Sequence, residues 1–320
     1  MFSNKLVSEL QQLTLPQLRI IAIKCGILNK GNKLELIQRI LQEISKTRLI
    51  NNNFTLHRIL SIDVGIRNLA FSSIIVPSII IKDSNLIYHK PFVVDGWDKL
   101  SIESKKIDNK IIKKAYNPEE FSFLAYQLAK SLLKEFKPQT ILIERQRYST
   151  RGKNTVQEWI IKINMFENML HSIFRCFKEE MIWDDQEADI LSIDPAKISS
   201  FWLKKNNILM KNFPINHNLS ILIDSEDKKP NYQSKTSTLR SKKEKIEIIN
   251  SWLKAGSIFD FKNTQITAED FLLKKKDKDK LKIDDLADSL LQGISWIVWE
   301  QNKWILKQKL QHNKPFYDFF

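Results

Sequence analysis

The sequence predicts a mixed α/β domain, a five-stranded sheet flanked by helices, preceded by a small helical hairpin. Three observations carry that reading. Apolar, β-branched segments of strand length recur at 58–65, 68–76, 78–88, 140–144 and 189–193. Apolar residues at helical spacing fill 118–136, 156–177 and 284–310. Residues 1–47 hold two short helical patterns split by a glycine turn, and 48–56, which includes three successive asparagines, reads as the linker to a larger domain at 57–320.

In the first segment, Thr14-Leu-Pro16 reads as an N-cap with a proline in the first turn, and Leu18, Ile21 and Ala22 follow at helical spacing until Gly26. A second helix after Gly31-Asn-Lys33 places Leu34, Ile37, Ile40, Leu41 and Ile44 on one face. In the larger domain, Arg58-Ile-Leu-Ser-Ile-Asp63-Val-Gly65 is a buried strand interrupted by one acid, and two further apolar segments lie on either side of Pro77. The helix at 118–136 ends before Pro138, and Thr140-Ile-Leu-Ile-Glu144 is the next strand. After the helix at 156–177 and the strand at 189–193, Asp194-Pro195 reads as the N-cap and first residue of another helix. Residues 203–245 break the pattern with ten Lys/Arg against four acids and read as a basic insertion. A helix at 242–252, a lysine-rich loop at 274–282 and a final helix at 284–310 close the chain.

Composition excludes several classes. Of 320 residues, 51 are Lys or Arg against 37 Asp or Glu, a net charge of +14 that suits a polyanionic partner. Cys25 and Cys176 lie far apart and the five histidines are scattered, so a zinc site and a disulfide framework are both disfavoured and a reducing compartment is expected. No apolar run reaches the ~18 residues needed to cross a bilayer. The seven glycines form no GxGxxG, and Asn32 stands where a phosphate-binding loop after Gly26 would need its lysine. The first 18 residues match neither a signal peptide nor an Arg-rich transit peptide.

The chemistry is carried by acids that interrupt apolar segments. Asp63 and Glu144 each sit in or at the end of a strand that otherwise reads as buried, where an unpaired carboxylate costs several kcal/mol. Asp284, Asp285 and Asp288 add acids in the first turn of the last helix, with Asp288 on the same face as both others. Oxygen ligands without histidine favour Mg²⁺ or Mn²⁺, and two such ions about 4 Å apart can clamp the attacking and leaving oxygens of a phosphodiester. The plain alternatives are a helix-dipole role for the aspartates and a salt bridge between Glu144 and Arg145 or Arg147.

Ile62-Asp63-Val-Gly65, Glu144-Arg-Gln-Arg147 and Asp284-Asp-Leu-Ala-Asp288-Ser-Leu together resemble the acidic sites of ribonuclease H-like resolvases, in particular the yeast mitochondrial cruciform-cutting endonucleases related to bacterial RuvC. The likeness spans roughly residues 57–310 and is weakest at 203–245. It implies a ribonuclease H-like fold, a mitochondrial location, and a metal-dependent nuclease that resolves four-way DNA junctions by paired symmetric nicks, with two Mg²⁺ or Mn²⁺ per site. By motif, Asp63 would bridge the metals, Glu144 would hold one, and Asp285 with Asp288 the other. Asp284 stays open as an alternative, since its i/i+4 spacing to Asp288 serves the same face. The first 47 residues resemble a SAP motif, a helical DNA-binding hairpin, in which Lys33 and Arg39 would meet phosphates.

After Glu144, Arg145, Arg147, Arg151 and Lys153 crowd a loop suited to gripping the strand to be cut, and Tyr148 among them is either a base-stacking platform or an exposed loop residue. The helix at 156–177 is apolar on too many faces to cover one sheet. It contacts either a second subunit, as a two-strand substrate suggests, or the tryptophan-rich C-terminal helix. Two other functions remain open: cleavage of RNA–DNA hybrids, and DNA binding without catalysis. A sugar-kinase-like reading of Asp63-Val-Gly65 lacks the glycine-rich phosphate loops it needs.

Overall fold

Alternation along two parallel strands decides the architecture. In the computed structural model, which describes residues 4–46, 57–77, 79–82, 85–88, 91–102, 104–107, 110–113, 117–146, 157–183, 188–202, 237–256, 258–262, 264–273 and 283–311, strand β1 (His57–Asp63) lies parallel to β8 (Thr140–Glu144). Leu60 and Ile62 of β1 and Ile141 and Ile143 of β8 point to one face of the sheet, where they pack with helices α4 (Pro118–Phe136) and α5 (Glu158–Glu179). Ile59 and Leu142 point to the opposite face, covered by α6 (Pro195–Trp202), α7 (Ser237–Ala255) and α9 (Ile283–Gln311). Successive residues of a strand face opposite ways, so Asp63 and Glu144 lie on the α9 side.

Among the described residues the main sheet is mixed and has six strands, in the order β10-β5-β2-β1-β8-β9. β2 (Leu69–Val76) is antiparallel to β1 and to β5 (Phe92–Leu100), whereas β9 (Asp189–Ile193) is parallel to β8 and β10 (Phe259–Phe261) is parallel to β5. This corrects the expected five strands. Residues 79–82 (β3) and 85–88 (β4) form a separate hairpin, as do β6 (Ser104–Ile107) and β7 (Lys110–Lys113). The third strand of the main sheet is β5, whose Asp95-Gly96 interior reads as a breaker in the sequence but pairs across a bulge between Ser73 and Ile74. At three residues, β10 is too short to show a period.

Helix boundaries otherwise follow the local signals. Asn117 caps α4 through the Glu119 amide, and Asp194 accepts from the Ala196 amide at the start of α6. The expected insertion at 203–245 is cut short: 203–236 lie outside the described residues, but 237–245 form the first half of α7, packed against α9. Helix α8 (Ala268–Leu273), with Thr267 and Asp270 bonded reciprocally at its start, was not anticipated.

The N-terminal module has three helices, α1 (Asn4–Gln12), α2 (Leu15–Lys24) and α3 (Lys33–Ile44), where the sequence reading had two. Thr14 with Gln17 and Asn32 with Glu35 form capping boxes at α2 and α3. This module is seated on the end of α9, its Leu18, Ile21, Cys25 and Ile40 sharing one apolar core with Leu306 and Leu310. Gly26 has φ of +63° and lies so close to Trp299 that a Cβ would stand 2.2 Å from the indole, which only glycine permits. Lys303, on α9, bonds Glu300 at 2.8 Å and Glu43 of α3 at 3.2 Å inside this contact. Burial pushes the Cys25 thiol up to about 12, against the opposing pull of Lys303, so it is a packing group here.

Candidate active site

The parallel register brings the first two carboxylates together. Ile62 pairs with Ile143, and the next residue on each strand is Asp63 and Glu144, at the carboxyl ends of β1 and β8. The two carboxyl groups thereby come within range of one another's charge. Burial first, then the charge and hydrogen bond of Glu144, then Asp288 and Asp285, hold the Asp63 carboxyl well above the usual range.

Helix α9 supplies the other acids by crossing the same face. Ser61 and Ser72 hydroxyls donate to the Ser289 carbonyl at 2.7 and 3.1 Å, and Trp97 Nε1 donates to the Leu286 carbonyl at 3.0 Å. Gly293 completes the approach: a Cβ there would stand 2.5 Å from Ile74 Cδ1. With the helix so placed, Asp285 and Asp288 act on Asp63 from one face of its first two turns. Asp284 is turned toward α7, where it is ion-paired with Lys242. Lys245, one turn further along α7, pairs with Asp288 at 2.8 Å.

The positive charges at this centre are therefore lysines of a segment that the sequence reading had set aside as an insertion. Burial raises the Asp288 carboxyl while Lys245 pulls it down. A signal was present: Lys242 and Lys245 are one turn apart, as are Asp285 and Asp288, but nothing in the chain says that the two helices pack together. The loop after β8 has its own fixtures. Arg145 pairs with Asp194 at 3.0 Å, and the Gln146 amide donates to Glu167 at 2.9 Å. Burial raises the Glu167 carboxyl against that bond.

Of the residues expected to meet nucleic acid, Arg145 lies beside the acids, with its side chain 55% exposed. Arg147, Tyr148, Arg151 and Lys153 lie outside the described residues. Lys33 and Arg39 sit in the N-terminal module and serve its loops: Lys33 Nζ donates to the Gln11 carbonyl, and Arg39 to those of Leu28 and Lys30.

The donor set fits a hard divalent cation. Among the described residues no group of three or more His, Cys, Asp or Glu side chains is arranged to hold a metal ion as the chain stands. Instead, Glu144, Asp285 and Asp288 all act on the buried Asp63, and Lys245 is paired with Asp288. Oxygen-only donors gathered on a buried carboxylate suit Mg²⁺ or Mn²⁺.

A sheet with acids at the carboxyl ends of adjacent parallel strands and on a crossing helix defines a ribonuclease H-like domain. A family model described as mitochondrial resolvase Ydc2 / RNA splicing MRS1 matches residues 59–305, and the chain belongs to that family. The mitochondrial cruciform cutting endonuclease 1 of Schizosaccharomyces pombe is 26% identical over 278 residues, covering 86% of this chain and 88% of the relative. Its namesake in Saccharomyces cerevisiae is 27% identical over 306 residues, covering 89% and 82%. The crystal structure of the yeast mitochondrial Holliday junction resolvase Ydc2 has the same fold, with a TM-score of 0.54 at 23% identity over 95% of this chain and 97% of that one.

Proposed function

We propose that this chain is a mitochondrial, structure-specific endonuclease that resolves four-way DNA junctions by paired symmetric nicks, working as a homodimer with two Mg²⁺ or Mn²⁺ ions per site. The observation that carries the reading is the convergence of Asp63 and Glu144 with Asp285 and Asp288 on one side of the sheet. The names of its relatives, which cut cruciforms, and the net charge of +14 agree with it.

Bound there, the metals would supply Lewis-acid charge and an activated water for in-line hydrolysis. Asp63, placed between Glu144 and the α9 acids, suits a bridging ligand; Glu144 would complete one metal, and Asp285 with Asp288 the other. Asp63 and Glu144 would hold the metals in their ionised form. Lys245, relieved of Asp288, would then remain as positive charge beside a phosphate group, while Lys242 would stay with Asp284. Arg145, held by Asp194 at the mouth of the site, and the cations that follow it grip the strand being cut.

Two strands of opposite position on a junction call for two equivalent sites, hence a twofold dimer. Trp159 and Ile161 on α5 are 57% and 44% exposed, and they provide apolar surface for the contact. The N-terminal module, held on α9, adds a second basic surface that follows the DNA away from the cut, in the manner of the SAP motif it resembles.

The test is incubation of the purified protein with a labelled mobile four-way junction, a linear duplex and an RNA–DNA hybrid, each in Mg²⁺, Mn²⁺ and chelator. Paired cuts on the junction alone, lost in chelator, are expected. Metal-dependent cutting of the hybrid would make it a ribonuclease H. Tight nucleic-acid binding without cutting would place the chain with the splicing branch of the family description.

A further inference from the structure

Gln292 stands in the middle of α9, 1% exposed, among the buried Leu290, Leu291 and Ile294 of the same helix. An amide in such a place costs about 1–3 kcal/mol for each polar group left unsatisfied, so its bonds show what it is there for. Its Nε2 lies 3.1 Å from Ser61 Oγ, 3.2 Å from the Ile62 carbonyl oxygen and 3.3 Å from the Leu142 carbonyl oxygen. The reverse orientation would set the amide oxygen against two carbonyl oxygens, which fixes the NH₂ group toward the strands. Among the described residues Oε1 has no hydrogen-bond partner, so the side chain is oriented by its donors at the expense of its acceptor.

The acceptors belong to the elements that carry the acids. Ile62 directly precedes Asp63, Leu142 lies two residues before Glu144, and Gln292 follows Asp288 by one helical turn on the same face. The serine, tryptophan and glycine contacts hold α9 to β1, β2 and β5. The bond to Leu142 extends the hold to β8. One amide therefore joins both strands and the helix directly behind the carboxylates.

We propose that Gln292 is a positioning residue for the metal centre, an amide staple that sets the spacing of the Asp63–Glu144 pair relative to Asp285 and Asp288. The inference rests on the metal-dependent nuclease reading above. Carboxylates gathered on one site repel one another when ionised, and ligands must be held within about 0.5 Å of productive geometry to bind a cation well. Packing alone permits sliding of a helix over an apolar sheet face; directed bonds from one side chain to both strands oppose it. Groups that orient metal ligands without touching the metal are worth about 10- to 100-fold in affinity.

The experiment compares the wild type with Gln292→Met, which keeps the volume and removes the donors, and with Ile297→Val, a packing change on the same helix. Mn²⁺ affinity is read from the free-ion EPR signal, the Mg²⁺ midpoint from junction cleavage, and junction affinity from gel shift in chelator. For Gln292→Met we expect Mn²⁺ affinity weaker by about tenfold, a parallel rise in the Mg²⁺ midpoint with cleavage recovered at high metal, and junction affinity within about twofold of wild type. Ile297→Val should leave both metal readouts in place. Should Gln292→Met fail to fold, Gln292→Glu, which keeps the shape and, protonated, one donor, replaces it with a smaller shift in the same direction expected. Unchanged Mn²⁺ affinity in a folded variant, or an equal loss in Ile297→Val, overturns the proposal. A wild type that binds Mn²⁺ but leaves junctions intact overturns the nuclease reading instead, and the Mn²⁺ comparison still decides the staple.

Discussion

Asp63 and Glu144 end neighbouring parallel strands, each one residue beyond the Ile62–Ile143 pair, so the charge of Glu144 acts on the buried Asp63 carboxyl. The Asp63 carboxyl is held above its ordinary value, so the folded chain binds more protons than the unfolded one across the interval between the two values. Stability of the metal-free protein from this group is thus full below about pH 4 and declines as pH rises through the raised value. We expect Asp63→Asn to raise the metal-free Tm at neutral pH, on the order of 5 °C, with the gap closing toward pH 4. The same variant should lose junction cutting and keep junction binding. A lower Tm at neutral pH would show that Asp63 is held by a favourable partner and would remove it from the metal set.

The three aspartates of α9 should separate. Asp285 and Asp288 act on Asp63, whereas Asp284 pairs with Lys242, so Asp285→Asn and Asp288→Asn should each lower kcat by about 100-fold or more and Asp284→Asn by less than about tenfold. Single-turnover cleavage of a junction measures all three. A ranking with Asp284 at the top would mean that α9 turns about its axis when metal binds.

Lys245 competes with metal for Asp288. Its ion pair is mostly shielded from water, and Lys245→Met leaves Asp288 without that charge. We expect a loss of about 1–3 kcal/mol in metal-free stability, offset by tighter Mn²⁺ binding. Denaturant melts with and without Mn²⁺ check both signs, and weaker Mn²⁺ binding would contradict the competition.

Separation of the N-terminal module from the rest by deletion should fail as a test of DNA affinity alone. Removing residues 1–46 would bare Trp299, Leu306 and Leu310 and leave the Lys303–Glu300 pair at a new surface. A lower Tm is expected along with weaker binding. Lys303→Met probes the joint without deletion: it leaves the buried Glu300 without its 2.8 Å partner and should cost about 3–5 kcal/mol. Thermal denaturation reads the loss, and a change below about 1 kcal/mol would show that the joint is held by packing alone.

Symmetry has its own test. Phe166 is fully buried, so among the α5 residues the charge belongs at Trp159. We expect Trp159→Glu to sediment as a folded monomer that nicks one strand at a time. A wild type that sediments as a monomer with and without junction DNA would remove the dimer.

What the sequence by itself determined was whatever is encoded over one element. The acids in Ile62-Asp63-Val and Ile143-Glu144 are anomalous against their own strands, Thr140–Glu144 and Asp189–Ile193 have the bounds read from local apolar pattern, and capping residues such as Asn117 and Asp194 mark helix starts by their own chemistry. Tertiary structure alone decided which elements meet. That Lys242 and Lys245 face the α9 acids, that Gln292 reaches two strands, and that Gly26 receives Trp299 from 273 residues away depend on packing between segments with no local mark of one another. The same reason explains the strand count: β5 and β10 become strands because a neighbouring edge offers hydrogen bonds, and a partner's edge leaves no period in the residues that join it.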